Sequence, residues 1–372
     1  MHKITFFPIG NADCCRIDLE NGKKLLFDYA NMKNKNDKDD LRIDLEEALK
    51  NDLNESGRDY FDVVSFSHAD NDHVQGLSEF FYLDHAQKYQ GEDRIKIEEL
   101  WVPAAVLVET NPPEDVRVLR QEARFRLKNK KGIKIFSEPE LLKDWIEEDK
   151  DLNYEDCKPF IFEAGNLIQG FTKEIDGVEF FIHAPFKTQL ENEVLNRNDC
   201  SSIFQAVFKV NEEETKFMII GDTDYNTISD IVRISEYYQN DSRLEWDIYN
   251  IPHHCSYKAL GNDKGKDKTV VDENVQKLLD KGNKYGILVS CSKPVPNNDE
   301  DPQPPHRQAK AVYEELADKI DGEFKVTMEF PTKKKPEPIV ITIDNNKAKI
   351  TKKSISTGAS IITSTKAPRA GI

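Results

Sequence analysis

Short apolar runs bounded by polar or turn-forming residues recur along the chain, which predicts β-strands joined by loops and amphipathic helices. The strand at 61–67 runs into a polar loop and then a helix, a layout in which α/β enzymes place their chemistry. Asn21-Gly22 predicts a tight hairpin turn. In the first 90 residues the pattern predicts strands over 3–8, 14–19, 25–30 and 61–67, and helices over 41–51 and 74–86.

A second block of strands follows a less regular middle segment. We expect residues 86–178, with a charged helix over 114–131, to be a helical insertion or cap on an α/β (α+β) domain that covers 1–351. The Ser/Thr/Lys-rich residues 352–372 predict a flexible tail. The second block comprises strands over 179–184, 202–210, 216–221, 246–251 and 286–291, a helix over 306–319, and two or three strands within 324–351.

The composition limits the class of protein. The 372 residues include 52 Lys and Arg against 68 Asp and Glu, which gives a formal charge of −16. This acidity argues against indiscriminate coating of nucleic acid but leaves a local basic groove open. No run of about 18 apolar residues occurs in the sequence, so we expect no membrane insertion. Six cysteines without a CxxC pair favour reduced thiols and a cytoplasmic location.

One polar loop carries four side chains that can bind metal within six residues: His68, Asp70, Asp72 and His73. The loop follows a buried strand and precedes a helix, so several of these side chains can converge on one point. The alternative is a hydrophilic loop that holds two of the eight histidines by chance. Because histidines and carboxylates are costly to bring together without a cation, a metal site is the favoured interpretation.

Further candidate ligands lie at the ends of other predicted strands. Asp28 and Asp222 each follow an apolar run, and His253 and His254 follow the strand at 246–251. Taken singly, Asp28 or Asp222 is more typical of a turn or a helix cap. As a set, such groups can assemble a dinuclear site with two divalent ions about 3.5–4 Å apart.

These positions resemble the metallo-β-lactamase fold hydrolases. The match is to His-x-x-x-Asp-His, with Asp70 replacing the second histidine of the usual His-x-His-x-Asp-His. Asn11, Ala12 and Cys255 stand where glycine is usual. The branch typified by the hydrolase domain of the bacterial competence DNA-uptake channel is similar in further segments, which are Gly10-Asn11-Ala12-Asp13, Asn198-Asp199-Cys200-Ser201, Gly221-Asp222 and Pro252-His253-His254-Cys255-Ser256.

The resemblance implies a four-layer αββα sandwich with the metal site along one edge. It also implies two metal positions, one held by His68 and Asp70 and the other by Asp72 and His73. The remaining implied ligands are Asp222, which bridges the two ions, and one of His253 and His254.

The third ligand of the first metal position is not obvious from the sequence. Asp199 is slightly favoured because it belongs to a matching segment, and His183 is the other candidate. Asp199 is equally a turn former and His183 equally a core histidine. The carboxylate of Asp70 makes the site harder, which shifts the expected metal from zinc alone toward manganese or a mixed site.

A site of this kind predicts hydrolysis, because a metal ion lowers the pKa of water from 15.7 to about 7. Phosphodiesters suit two cations best, since charge gathers on oxygens in their transition state. We expect Asp72 and Asp222 to be catalytic. His306, at a helix start, is expected either to protonate the leaving oxygen or bind a phosphate, or to be a surface residue. Acyl hydrolysis of a lactone or thioester, and a non-catalytic or partner-activated regulatory module, stay open as alternatives.

The middle segment also contains a cluster of cations. Eight Lys and Arg lie within 117–134 with one opposing glutamate, and Arg117, Arg120 and Arg124 share a helical face. This face is either solvated or able to track a nucleic-acid backbone. Nucleic acid or a nucleotide is therefore the expected substrate, and an activating protein partner is left open.

Overall fold

The apolar runs of the sequence form the strands of two facing sheets in the computed structural model, which describes residues 1–187 and 197–351. The tail predicted over 352–372 lies outside the described residues. The first sheet contains β1 (His2–Phe6), β2 (Cys15–Asp18), β3 (Lys24–Phe27), β4 (Tyr60–Ser65), β5 (Lys96–Pro103), β6 (Ile133–Phe136), β7 (Ile161–Phe162), β16 (Ile339–Asp344) and β17 (Lys347–Ile350). Their order across the sheet is β17-β16-β1-β2-β3-β4-β5-β6-β7.

The second sheet has six described strands. These are β8 (Val178–Ala184), β9 (Ile203–Val210), β10 (Glu213–Ile219), β11 (Trp246–Ile251), β12 (Gly282–Ser290) and β13 (Glu323–Val326). They lie in the order β13-β12-β11-β10-β9-β8, and β10, β11, β12 and β13 run parallel to one another. A small separate hairpin joins β14 (Pro331–Thr332) and β15 (Lys335–Pro336).

Helices connect the strands and cover the outer faces of the sheets. No helix within the described ranges is long and apolar enough to cross a membrane. The α-helices are α1 (Leu45–Glu55), α2 (Asn71–Val74), α3 (Leu77–Phe80), α4 (Ala104–Val108), α5 (Glu114–Lys128), α6 (Glu140–Glu148), α7 (Tyr154–Cys157), α8 (Tyr225–Tyr237), α9 (Glu273–Leu279) and α10 (Arg307–Lys319).

Three apolar cores separate four layers. One lies between the first sheet and helices that include α1, α5 and α6, the second between the two sheets, and the third between the second sheet and α8, α9 and α10. Along β4, Val64 belongs to the outer core and Val63 to the core between the sheets, because successive side chains of a strand point to opposite faces. The predicted αββα sandwich is therefore confirmed.

The middle segment is not a separate cap, which corrects the expected insertion over 86–178. Its strand β5 pairs in parallel with β4, and β6 and β7 extend the same sheet. Leu100 and Val102 pack under the outer helices, whereas Trp101 packs between the sheets. The segment therefore shares both cores with the residues around it.

The single helix predicted over 74–86 is also wrong. The chain forms the two short helices α2 and α3, because Gly76 between them adopts a left-handed φ of +82° that an α-helix cannot contain. This break limits α2 to one turn. Asp72 and His73 lie on that turn, directly beside the end of β4.

Candidate metal centre

The site forms where strands of both sheets end. The polar loop from Phe66 to Asp70 follows β4, and Asp28 follows the parallel neighbour β3. From the second sheet, Asp222 follows β10, and His253 and His254 follow β11. Because β3 and β4 are parallel, as are β10 and β11, their carboxyl ends deliver these side chains to one edge of the sandwich.

At this edge four side chains bring donor atoms together. They are Asp72 and His73 on α2, Asp222 and His254, and we call them the four-residue site. One donor atom from each lies within 4.8 Å of the others. His254 Nε2 is 3.2 Å from Asp72 Oδ2 and 3.4 Å from Asp222 Oδ2. His73 Nε2 is 3.5 Å from Asp222 Oδ1. Two imidazole nitrogens and two carboxylates are a donor set that suits zinc and similar divalent ions.

Buried atoms at this site lack the partners that such atoms normally have. Within the described part of the chain, His68 Nε2, His73 Nε2 and Asp222 Oδ1 are buried and have no hydrogen-bond partner. An unsatisfied buried polar atom costs about 1–3 kcal/mol, so three together require an explanation. A cation in the four-residue site would satisfy His73 Nε2 and Asp222 Oδ1, which face each other at 3.5 Å, so these residues fit a metal ion. His68 Nε2 lies outside that site and would need an ion of its own.

Asp28 orients His73. Its Oδ2 accepts from His73 Nδ1 at 2.9 Å and from Ser67 Oγ at 2.7 Å, and its Oδ1 accepts from the Ser67 amide at 2.7 Å. These bonds place the proton of neutral His73 on Nδ1 and leave the Nε2 lone pair for a metal. The sequence identified Asp28 as a candidate ligand, and in the structure its hydrogen bonds are those of a residue that orients His73.

His254 is held in the same manner. Its Nδ1 lies 2.8 Å from the carbonyl oxygen of Cys291, which leaves Nε2 for the four-residue site. The backbone here is strained, because His253, His254 and Cys255 all have positive φ, at 49°, 51° and 65°. Cys255 therefore adopts, at a cost, the conformation that glycine adopts freely.

The electrostatics of the site favour positive charge. Burial alone would lower the pKa of His73 and of His254, but nearby carboxylates, Asp28 and Asp222 for His73 and chiefly Asp222 for His254, hold both pKa values well above the usual range. Burial opposes ionisation of Asp222 too, yet the two histidines lower its pKa well below the usual value. Burial lowers the pKa of His68 to about 4, so this residue stays neutral.

The residues predicted for the first metal position lie beside the four-residue site and outside it. The ring of His68 is 4.0 Å from that of His73, and its Nε2 is 3.7 Å from Asp70 Oδ2. Asp70 Oδ1 is bound by Arg197 at 2.6 Å. Asp199 lies in the turn over 197–200 and does not belong to the convergent group.

Other predicted residues have different partners. His253 is partly exposed, and its Nε2 is 3.8 Å from Asp222 Oδ2, so His254 is the buried member of the pair. His183 Nε2 lies 2.9 Å from the carbonyl oxygen of Arg243, which makes it a core histidine.

The structure also corrects the acid role expected for His306. Its Nδ1 accepts from the Tyr257 amide at 3.3 Å, and its Nε2 lies 3.1 Å from the carbonyl oxygen of Pro302. With both ring nitrogens bound to backbone groups and the side chain buried, His306 is not presented as a general acid. It instead fixes the turn that follows the strained histidine pair.

The arginines predicted to contact substrate mostly serve the fold. Arg120 Nη1 donates to the carbonyl oxygen of Glu109 at 2.6 Å, and Arg124 Nε donates to that of Leu107 at 2.8 Å. Arg117 is half exposed and lies 3.9 Å from Glu114. The three therefore do not form the continuous free cationic face that the sequence suggested.

Sequence reasoning gave no role to Asp13. This residue is 5% exposed, and neither carboxylate oxygen has a hydrogen-bond partner among the described residues. It forms a second convergent group with Asp28 and His73. Burial raises the pKa of Asp13 to about 6. The only signal in the sequence was its position in the segment Gly10 to Asp13, which carried the resemblance.

Comparisons with known proteins identify structural similarity alone. No protein-family model and no curated protein sequence matches the chain. A protein of Parabacteroides distasonis described as a metal-dependent hydrolase is 10% identical, with a TM-score of 0.35 over 87% of this chain and 92% of that one.

Two further solved structures are similar at the same level. A diphosphatase of the PhnP family is 10% identical, with a TM-score of 0.31 over 78% of this chain and 87% of that one. The metallo-β-lactamase GOB-18 of Elizabethkingia meningoseptica is 12% identical, with a TM-score of 0.32 over 85% and 89%. Since the identities and scores are low, the chemistry proposed for this chain rests on its own side chains.

Proposed function

We propose that this protein is a metal-dependent hydrolase that cleaves phosphodiester bonds in nucleic acid or in a nucleotide. The observation that carries the proposal is the four-residue site, in which His73 Nε2 and Asp222 Oδ1 are buried without hydrogen-bond partners among the described residues. Zinc, manganese or both are the metals proposed for it, with a second ion beside His68.

Each residue of the site has a distinct part in this proposal. A divalent ion held there would supply a nucleophile at neutral pH by lowering the pKa of water to about 7. His73 and His254 would hold it through Nε2, because Asp28 and the Cys291 carbonyl occupy their Nδ1 atoms. Asp72 is partly exposed, unlike the other three, so its carboxylate can hold the attacking water and accept its proton at the solvent side.

The surroundings of the site favour an anionic substrate over an acyl one. Arg197 reaches Asp70 in the polar loop and also Glu109, so one partly exposed guanidinium lies beside the site. A guanidinium group matches phosphate oxygens. A mostly apolar cavity of about 570 Å³ lies between β8 and α8, and its described lining residues include none of the four-residue site.

The test is hydrolysis by purified protein of single-stranded DNA, duplex DNA, RNA and bis(p-nitrophenyl) phosphate, each with manganese, zinc or chelator. We expect metal-dependent cleavage that is lost in Asp72→Ala and Asp72→Asn. Asn71→Ala is the matched control, because Asn71 is exposed on the same helical turn and lies outside the four-residue site. Circular dichroism checks that each variant is folded.

Two results would contradict the proposal. One is full activity in both folded Asp72 variants, which would remove the site from the mechanism. The other is cleavage of chromogenic lactones or thioesters with no cleavage of any phosphodiester, which would assign an acyl substrate.

A further inference from the structure

Arg197 binds two carboxylates at the edge of the metal centre. Its Nη1 donates to Asp70 Oδ1 at 2.6 Å, and its Nε donates to Glu109 Oε1 at 2.9 Å, with Nη2 on the same oxygen. The side chains of Arg197 and Asp70 are 26% and 35% exposed, whereas that of Glu109 is 13% exposed. The Glu109 contact is therefore the more sheltered of the two.

The other face of Asp70 lies toward His68. Asp70 Oδ2 is 3.7 Å from His68 Nε2, which is buried and has no hydrogen-bond partner in the described ranges. His68 therefore presents a nitrogen lone pair or N–H toward the carboxylate that Arg197 holds. Asp70 thus lies between a permanent cation and the position where a second ion would bind.

The two metal positions are unequal in this geometry. The four-residue site has its donors together without Asp70. A second ion beside His68 needs the Asp70 carboxylate, and a guanidinium at 2.6 Å occupies one of its oxygens and repels a divalent ion. While that contact lasts, only Oδ2 is left for the ion, so Arg197 opposes its binding by charge and by holding one of the two oxygens.

We propose that Arg197 competes with the second divalent ion for Asp70 and so sets the affinity of that ion alone. When Asp70 turns away from Arg197, Glu109 still binds the guanidinium. Only the ion pair between Asp70 and Arg197 is then lost. The first ion binds in the four-residue site and is independent of this contact. The inference rests on the proposed metal centre but not on its reaction.

The test is titration of metal-free protein with Zn²⁺ in competition with a chromophoric chelator, without substrate. We expect one tight equivalent and one weaker equivalent in the unchanged protein. In Arg197→Ala, the dissociation constant of the weaker equivalent should fall about five- to tenfold, the effect of removing one partly exposed, charge-assisted contact. The tight equivalent should stay unchanged and report that the fold is intact.

Two variants separate competition from a general effect of charge. Arg197→Lys keeps the charge but loses the forked contact, so its effect should be in the same direction and smaller. Arg117→Ala removes a half-exposed guanidinium whose contact is with Glu114, so it should change neither constant. Asp70→Asn should weaken only the second equivalent.

Several results would overturn the inference: two equal equivalents in the unchanged protein, an unchanged second constant in Arg197→Ala, or the same shift in both constants. A failure of the proposed hydrolysis is a different result. It would appear as no turnover with both ions bound, whereas the metal titration is read without any substrate.

Discussion

The bond between Asp28 and His73 provides the sharpest test of how the metal centre is built. Asp28 Oδ1 accepts from the Ser67 amide, which can only donate, while Oδ2 accepts from Ser67 Oγ and His73 Nδ1. In Asp28→Asn, the amide oxygen has to face the Ser67 amide, so the new NH₂ group faces His73. Asparagine tolerates the left-handed φ of 58° found at this position, so the backbone is not strained further.

The expected consequence is a change of tautomer. With a donor facing Nδ1, neutral His73 has to carry its proton on Nε2, the atom that faces Asp222 and the metal. Loss of an orienting partner of this kind reduces metal affinity about 10- to 100-fold, or about 1.4–2.7 kcal/mol. We therefore expect the tight equivalent of Zn²⁺ to weaken by that factor in Asp28→Asn.

The assay is the chelator-competition titration, with circular dichroism and thermal unfolding of the metal-free variant as controls for folding. A folded Asp28→Asn protein that binds its tight zinc ion with unchanged affinity would refute the reasoning. Asp28→Glu is a useful comparison, because it keeps an acceptor for His73 and should lose less affinity than the asparagine variant.

Two further predictions concern stability away from the metal centre. Glu122 is fully buried and accepts from His85 and from Arg126 Nε at 2.6 Å. Glu122→Ala should therefore lower the free energy of unfolding in urea by about 3–5 kcal/mol. Glu114→Ala, at an exposed position, is the control and should change it by close to zero. A loss below about 1 kcal/mol would contradict this. Burial lowers the pKa of His183 to about 4, below the unfolded value near 6.5, so the unfolded chain takes up the proton first and stability falls as the pH drops from 6.5 to 4. Between these pH values His183 accounts for a loss of about 3 kcal/mol in the free energy of unfolding. The free energy of unfolding of His183→Gln should therefore depend less on pH. The same pH dependence in both proteins would contradict this role of His183.

Local pattern was sufficient for most strands because each is a short apolar run that stops at a turn. The prediction of one helix over 74–86 is wrong because Gly76 adopts a left-handed conformation that divides the segment into two helices. The less regular pattern and the charged helix of the segment 86–178 predict an insertion, although its strand β5 lies within the first sheet. Pairing of distant strands leaves little trace in the local pattern, so the sequence could not show this.

The sequence by itself determined most of the strands and the polar loop with His68, Asp70, Asp72 and His73, since both follow from residue type and short-range order. The αββα layering was implied only by the resemblance to a known family. Tertiary structure decided which side chains meet. His254 joins Asp72 across 182 positions and Arg197 joins Asp70 across 127, while His306 and Arg124 are bound by backbone carbonyls. The physical reason is that a side chain's partners depend on which loops approach it, and only packing of the two sheets and their helices sets that approach.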